Sequence, residues 1–176
     1  GVGNEKYVDF KVTWTKECKV SIVKKDQDTG NALAGAVYGI YSDAACTKLI
    51  AEMPETDQNG ASQLTMEKTQ EVVYLKEISV PTGYQIDTKS YNVTLAIGKT
   101  TTKNATDKRT NAKLNIAKQD AETGNEAQGD ATLEGAVYGL YAREDIVHPD
   151  GRTGTIYKKD TLITSLTTDK NGEASV

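Results

Sequence analysis

Apolar and polar residues alternate along this chain in short runs separated by turn-forming clusters. Val20 and Ile22, and again Leu114 and Ile116, recur at every second position, which predicts strands with one buried face. In the next run Ala36, Tyr38 and Ile40 fall on one face and Val37, Gly39 and Tyr41 on the other. Further strand-like runs cover Glu71–Ile78, Tyr91–Ile97 and Thr100–Thr106. Residues 1–16 read as one more alternating strand, carrying Val8, Phe10, Val12 and Trp14, either the tail of a preceding module or an extra edge strand. Asp28-Thr29-Gly30-Asn31 and Glu122-Thr123-Gly124-Asn125 supply an acceptor side chain and a glycine for tight turns. The Asn-Gly pairs at 59–60 and 171–172 predict hairpins.

These runs belong to an internal repeat. VSIVKKDQDTGNALAGAVYGIY at 20–41 returns as LNIAKQDAETGN and LEGAVYGLY between 114 and 141. Lys24 maps onto Lys118, Gly35 onto Gly135, and Thr56-Asp57-Gln58-Asn59-Gly60 onto Thr168-Asp169-Lys170-Asn171-Gly172. The second copy therefore carries six additional residues around EAQGDA and twelve more around HPDGRTG. The expected organisation is a tail or edge strand at 1–16, a complete module at 17–110, and the N-terminal part of a second module at 111–176. Counterparts of residues 63–107 do not follow in the second copy, so it is expected to be incomplete as it stands.

Composition agrees with strands and turns. Thr, Val and Tyr are plentiful, and 15 Gly stand against three Pro. The formal charge of −4 is spread without a basic block, which excludes a nucleic-acid footprint. No apolar run approaches the ~20 residues that span a bilayer, and residues 1–15 lack the apolar centre of a signal peptide. The expectation is a soluble fragment with no membrane span.

Few residues suggest chemistry on their own. Cys18 and Cys46 read either as a disulfide of an exported protein or as two small buried hydrophobes. Their spacing is not that of a zinc or redox motif. Asp26-x-Asp28-x-Gly30 is a faint calcium-loop pattern, but Val37 stands where an EF-hand supplies its bidentate Glu, so no metal and no cofactor is expected. His148, the single histidine, is expected to be an isolated loop residue. Asn92-Val93-Thr94 and Asn104-Ala105-Thr106 match the glycosylation sequon, a common accident in Thr-rich strands.

Taken together, Lys24-x-Asp26 with Asp28-Thr29-Gly30, Leu33-Ala34-Gly35-Ala36-Val37-Tyr38, and Tyr74-Leu75-Lys76-Glu77-x-x-x-Pro81-x-Gly83-Tyr84 carry a resemblance. The chain resembles the Cna B-type, or SpaA-like (prealbumin-like), domains of Gram-positive adhesins and sortase-assembled pilins. That resemblance implies an all-β fold of tandem immunoglobulin-like β-sandwich modules. It also implies an intramolecular isopeptide bond between a first-strand Lys and a last-strand Asn or Asp, assisted by a Glu. Carried over, the Lys is Lys24 and the Glu is Glu77. The closing motif is matched by Thr106-Asp107-Lys108-Arg109, which makes Asp107 the acceptor. Arg109 stands where the family commonly has Pro, which leaves Asn104 as the rival acceptor. In the second copy Lys118 takes the nucleophile's place.

Such chemistry requires burial. An amine attacks a carboxyl carbon only when unprotonated, and an apolar surrounding disfavours the charged form. A neutral Glu can polarise the acceptor carbonyl and carry the proton. The expected function is thus a stalk or shaft module of a cell-wall-anchored, extracellular surface protein, not an enzyme with an external substrate. Its expected partners are neighbouring modules of the same chain or pilus. The alternative is an adhesive module that binds a host surface protein or glycan through loop insertions such as 142–160.

Overall fold

The computed structural model describes residues 8–12, 15–124, 127–129 and 131–176. Trp14, and Glu126 and Asp130 of the first insertion, lie outside the described residues. Among the described residues all regular structure is strand, thirteen in order: β1 Glu17–Asp26, β2 Val37–Tyr41, β3 Leu49–Glu52, β4 Ala61–Glu67, β5 Val72–Ser79, β6 Ser90–Thr94, β7 Thr100–Asp107, β8 Asn115–Ala117, β9 Val137–Tyr141, β10 Ile146–Val147, β11 Thr155–Tyr157, β12 Leu162–Thr167 and β13 Glu173–Ser175. The chain divides into two compact units. One comprises Gly1–Lys24, Leu33–Val80 and Ile86–Ala105; the other comprises Lys25–Ala32, Pro81–Gln85 and Thr106–Val176.

In the first unit a four-stranded sheet of order β3-β2-β5-β6 faces a core that it shares with the sheet β4-β1-β7. The pleat of β1 buries Cys18, Val20, Ile22, Lys24 and Asp26 in turn, while Lys19 and Lys25 point to water. Ala36, Tyr38 and Ile40 form the buried face of the next strand, as their alternation predicts. Val73, Leu75, Val93, Leu95 and Ala105 complete the core. Each fully buried aliphatic side chain of this kind contributes about 1.5–3 kcal/mol. A Cβ on Gly39 would lie 2.7 Å from Cε2 of Tyr41, so the glycine leaves room for that ring to lie across β2.

Lys19 on β1 donates to the carbonyl of Lys99, and Gln27, eight residues on, donates to that of Asp107, eight residues further along the partner segment. Equal steps in the same direction make β1 and β7 parallel neighbours.

Three expectations need correction. The Asn-Gly pair at 59–60 makes a turn, with Asp57 accepting from the amides of Asn59 and Ala61, but it is not the tip of a β3–β4 hairpin. β3 pairs with β2 and β4 with β1, so the turn carries the chain from one sheet to the other. No strand forms among the described residues of 1–16 before β1 begins. Val8, Phe10 and Val12 are exposed, Phe10 by 85%, and no ladder forms there among the described residues. Finally, Cys18 and Cys46 are free thiols. Cys18 packs in the core on β1, whereas Cys46 sits in the loop that joins β2 to β3 of the other sheet.

The second unit contains the repeat's second copy. β13 pairs with β8 and β12 with β9, as β4 pairs with β1 and β3 with β2. Local hydrogen bonds repeat atom for atom. Thr56 Oγ1 donates to the carbonyl of Leu33 and accepts from the amide of Ala36, and Thr168 Oγ1 does the same with Leu133 and Ala136. The larger insertion forms the hairpin β10–β11, with the loop 148–154 at its tip.

Candidate functional site

Lys24 is the fourth inward position of β1 and has apolar residues at the two before it, so the pleat alone carries its side chain into the core. Tyr38 and Glu77 lie directly opposite each other across the β2–β5 pair, which sends both side chains to the same inner face. The three meet there. Lys24 Nζ is 3.1 Å from Glu77 Oε1, with both side chains wholly buried. It also donates to Tyr38 Oη at 2.6 Å and lies 5.1 Å from the centre of that ring. Glu77 Oε2 accepts from the amide of Asp87 at 2.6 Å, which orients the carboxyl. Tyr38 was not identified from sequence as a site residue, although its place between Ala36 and Ile40 on the inward face marks it.

Asp107 and Asn104 part company on β7. Ala105 and Asp107 are buried, while Asn104 and Thr106 are exposed, so the pleat turns the two acceptor candidates to opposite faces. The carbonyl of Asp107 accepts from the amide of Gln27 at 2.9 Å.

Lys118, the counterpart of Lys24, is half-buried, and among the described residues its Nζ donates to the carbonyl of Thr132 at 3.4 Å. Tyr138, the counterpart of Tyr38, is 42% exposed against 0% for Tyr38.

A second polar cluster lies in the second unit, where sequence gave little warning of it. Asp26, His148 and Asp150 are all buried, with potential ligand atoms within 4.8 Å of one another. His148 is a loop residue as expected, but it is not isolated. Its Nδ1 accepts from the amide of Asp150 and lies 3.2 Å from Asp150 Oδ1, and its Nε2 is 4.0 Å from Asp26 Oδ2. Asp26 Oδ1 accepts from the amides of Asp28 and Thr29, and Oδ2 accepts from Tyr84 Oη at 2.6 Å. Burial raises the Asp26 carboxyl, but the hydrogen bonds from Tyr84, Thr29 and Asp28 outweigh it and hold the group below the usual range. Burial and then the Asp26 carboxylate push the Tyr84 phenol well up. Asp150 follows the same logic. Burial is overcome by donors from Asn31, Thr153 and Arg152, and its carboxyl lies well below the usual range. Donors thus occupy every carboxylate oxygen of the cluster, and the amide of Asp150 occupies the near nitrogen of the imidazole. That is the chemistry of a structural network more than of an open metal site.

The first unit's sandwich and its buried Lys–Glu pair define a prealbumin-like β module. The family described as SpaA, prealbumin-like fold domain, matches residues 18–109, and the chain belongs to it. Among solved structures the chain is similar to the Bacillus anthracis TIE protein, with 20% identity over 92% of this chain and 26% of that one, and a TM-score of 0.65. It is also similar to a streptococcal ancillary pilin, with 21% identity over 93% and 50% of the two chains and a TM-score of 0.49. The shaft pilin SpaA from Lactobacillus rhamnosus GG shows 16% identity over 89% and 80%, with a TM-score of 0.44. Identity at the level of the TIE protein speaks to fold alone, and the chain spans about a quarter of that protein's length. No curated protein sequence matches.

Proposed function

We propose that residues 17–110 form a load-bearing module of an extracellular stalk or pilus on a Gram-positive bacterium, closed by an isopeptide bond between Lys24 and Asp107 with Glu77 as proton carrier. The observation that supports it is the wholly buried Lys24–Glu77 pair at 3.1 Å. A buried ion pair is poor at stabilising a core, since hydrophobic residues of similar volume usually do as well or better. Its presence in the core therefore favours a chemical role over a structural one.

In this reading one ammonium proton passes from Lys24 Nζ to Glu77 Oε1, and the freed amine attacks Cγ of Asp107. The C–N bond forms as one carboxyl oxygen departs. That oxygen leaves as water, carrying two protons that came from the lysine nitrogen, and Glu77 ends as it began. Confinement in the core supplies the effective concentration that lets the condensation proceed once per molecule. The exposure of Asn104 on the opposite face favours Asp107 as acceptor.

The bond would join the first strand of the module to its last, so that tension along the chain bypasses the strands between them. Closing a loop of roughly 80 residues would also restrict the unfolded chain by about 4–5 kcal/mol. Proteolytic digestion and tandem mass spectrometry test the linkage. A branched peptide joining the segment of Lys24 to that of Asp107 supports it, and recovery of both segments as separate linear peptides refutes it.

A further inference from the structure

The loop 148–154 belongs to the insertion that distinguishes the second copy from the first, and exposed insertions of this kind commonly meet ligands. Its side chains are engaged elsewhere. Asp150 Oδ2 accepts from Asn31 Nδ2 at 2.9 Å, from Thr29 Oγ1 at 3.3 Å and from Thr153 Oγ1, while Asp150 Oδ1 accepts from the amides of Arg152 and Thr153. Asn31 Nδ2 also reaches Thr153 Oγ1 at 3.4 Å. His148 fills the space between Asp150 and Asp26, and Asp26 in turn accepts from Tyr84. An independent feature marks the same contact. A Cβ on Gly83, where φ is +90°, would lie 2.6 Å from Cβ of Pro149, so the glycine lets the loop close onto the Pro81–Gln85 turn.

We propose that the loop 148–154 is an intramolecular clasp, with Asp150 and His148 as positioning residues that fix the register at which the strand of Lys24 meets the strand of Asp107. The connection runs through backbone bonds. Asp26 ends β1 two residues after Lys24, and Gln27 next to it donates its amide to the carbonyl of Asp107. On the other side Tyr84 bridges Arg109, Gln85 donates to the carbonyl of Lys108, and Thr110 donates to that of Gly83. The clasp thus grips both segments that flank Asp107. In the first copy the loop Ser42–Lys48 stands where the insertion stands in the second, and there Asp43 accepts only from its own loop, at Thr47 and Lys48. The clasp is a property that the insertion adds to the repeat.

This positioning role rests on the isopeptide reading above, but the clasp itself can be judged apart from it. The whole chain is compared with Asp150→Ala, Asn31→Ala, their double variant and Asp150→Asn, by amide hydrogen exchange and by a cross-linking time course during cell-free synthesis. In Asp150→Ala the amides of Gln27, Asp28 and Thr29 are expected to exchange about tenfold faster, the measure of one lost charge-assisted hydrogen bond. Asn31→Ala should add little to Asp150→Ala, because the two share one interaction. Asp150→Asn, which keeps an acceptor oxygen, should restore part of the protection. Cross-linking in Asp150→Ala should slow several-fold and should recover in part in Asp150→Asn. Unchanged exchange at Gln27–Thr29, or full additivity of the two substitutions, overturns the clasp. Loss of protection with an unchanged cross-linking rate overturns the positioning role. Absence of cross-linking in the parent chain removes the isopeptide reading and leaves the exchange result to decide the clasp.

Discussion

Lys24 and Lys118 hold the same place in a repeated sequence and meet different surroundings. Around both, the local scaffold is the same: each lysine amide donates to a glycine carbonyl, Gly60 or Gly172, and each copy has its buried threonine clamp. Yet Lys24 is wholly buried against Glu77 and Tyr38, while among the described residues Lys118 Nζ donates to one exposed carbonyl. The difference comes from β5, β6 and β7, which provide Glu77, the residues that cover the core, and Asp107. The second copy's described strands are the counterparts of β1 to β4 together with the β10–β11 hairpin. A repeat motif can therefore specify a strand and its turns locally, whereas the environment that makes its lysine reactive is assembled from distant sequence.

The strongest way to break the comparison is Lys24→Ala. It should abolish the cross-link, release the roughly 80-residue loop whose closure restricts the unfolded chain by about 4–5 kcal/mol, and leave a cavity beside the buried Glu77. Chemical denaturation together with intact mass reads both effects. Next comes Glu77→Gln, which keeps shape but removes the proton carrier. Cross-linking in a synthesis time course should slow by roughly 10²–10⁴-fold. An unchanged rate would mean that Glu77 is only a structural partner.

Tyr38→Phe and Tyr138→Phe sharpen the contrast. The first removes a buried hydroxyl that accepts from Lys24 Nζ, an amide nitrogen once the cross-link has formed, and should cost about 0.5–1.5 kcal/mol. The second changes an exposed side chain and should stay within ~0.5 kcal/mol. Equal effects on denaturation midpoints would contradict the difference in burial.

Acid should act on the second unit through Asp26 and Asp150. Both carboxyls lie below their ordinary value near ~3.9, so the stability they contribute is fully present above that value and is lost as pH falls through the depressed ones. Exchange protection of the 26–31 turn should therefore persist from neutral pH to about pH 4 and fail only below it. Loss of protection between pH 7 and 5 would count against these two groups. Smallest of all, Lys118→Ala should shift the melting temperature hardly at all, with a cost within ~0.5 kcal/mol.

Much of the first unit was legible because period-two burial is a local signal. Val20, Ile22, Ala36, Tyr38 and Ile40 lie inward as their alternation predicts. The same rule put Lys24 inside and Lys25 outside. Pairing was less legible. Asn59-Gly60 has the chemistry of a hairpin turn, yet which strand pairs with which depends on two sheets packing together, and no short window contains that information. Phe10 and its described neighbours carry a strand's alternation but are exposed and form no strand, and alternation alone does not hold one. The Asp26–His148–Asp150 cluster was least visible, because Asp26 is more than a hundred residues from the other two and His148 resembles any loop histidine until Asp150 and Asp26 surround it.

The central claim concerns one covalent bond, and the intact mass of the purified chain under reducing conditions tests it directly. The account predicts a mass lower than the sequence by one water, a deficit that disappears in Lys24→Ala. Loss of ammonia in place of water would transfer the acceptor role to an amide such as Asn104, and a mass equal to the full sequence would contradict the isopeptide bond itself.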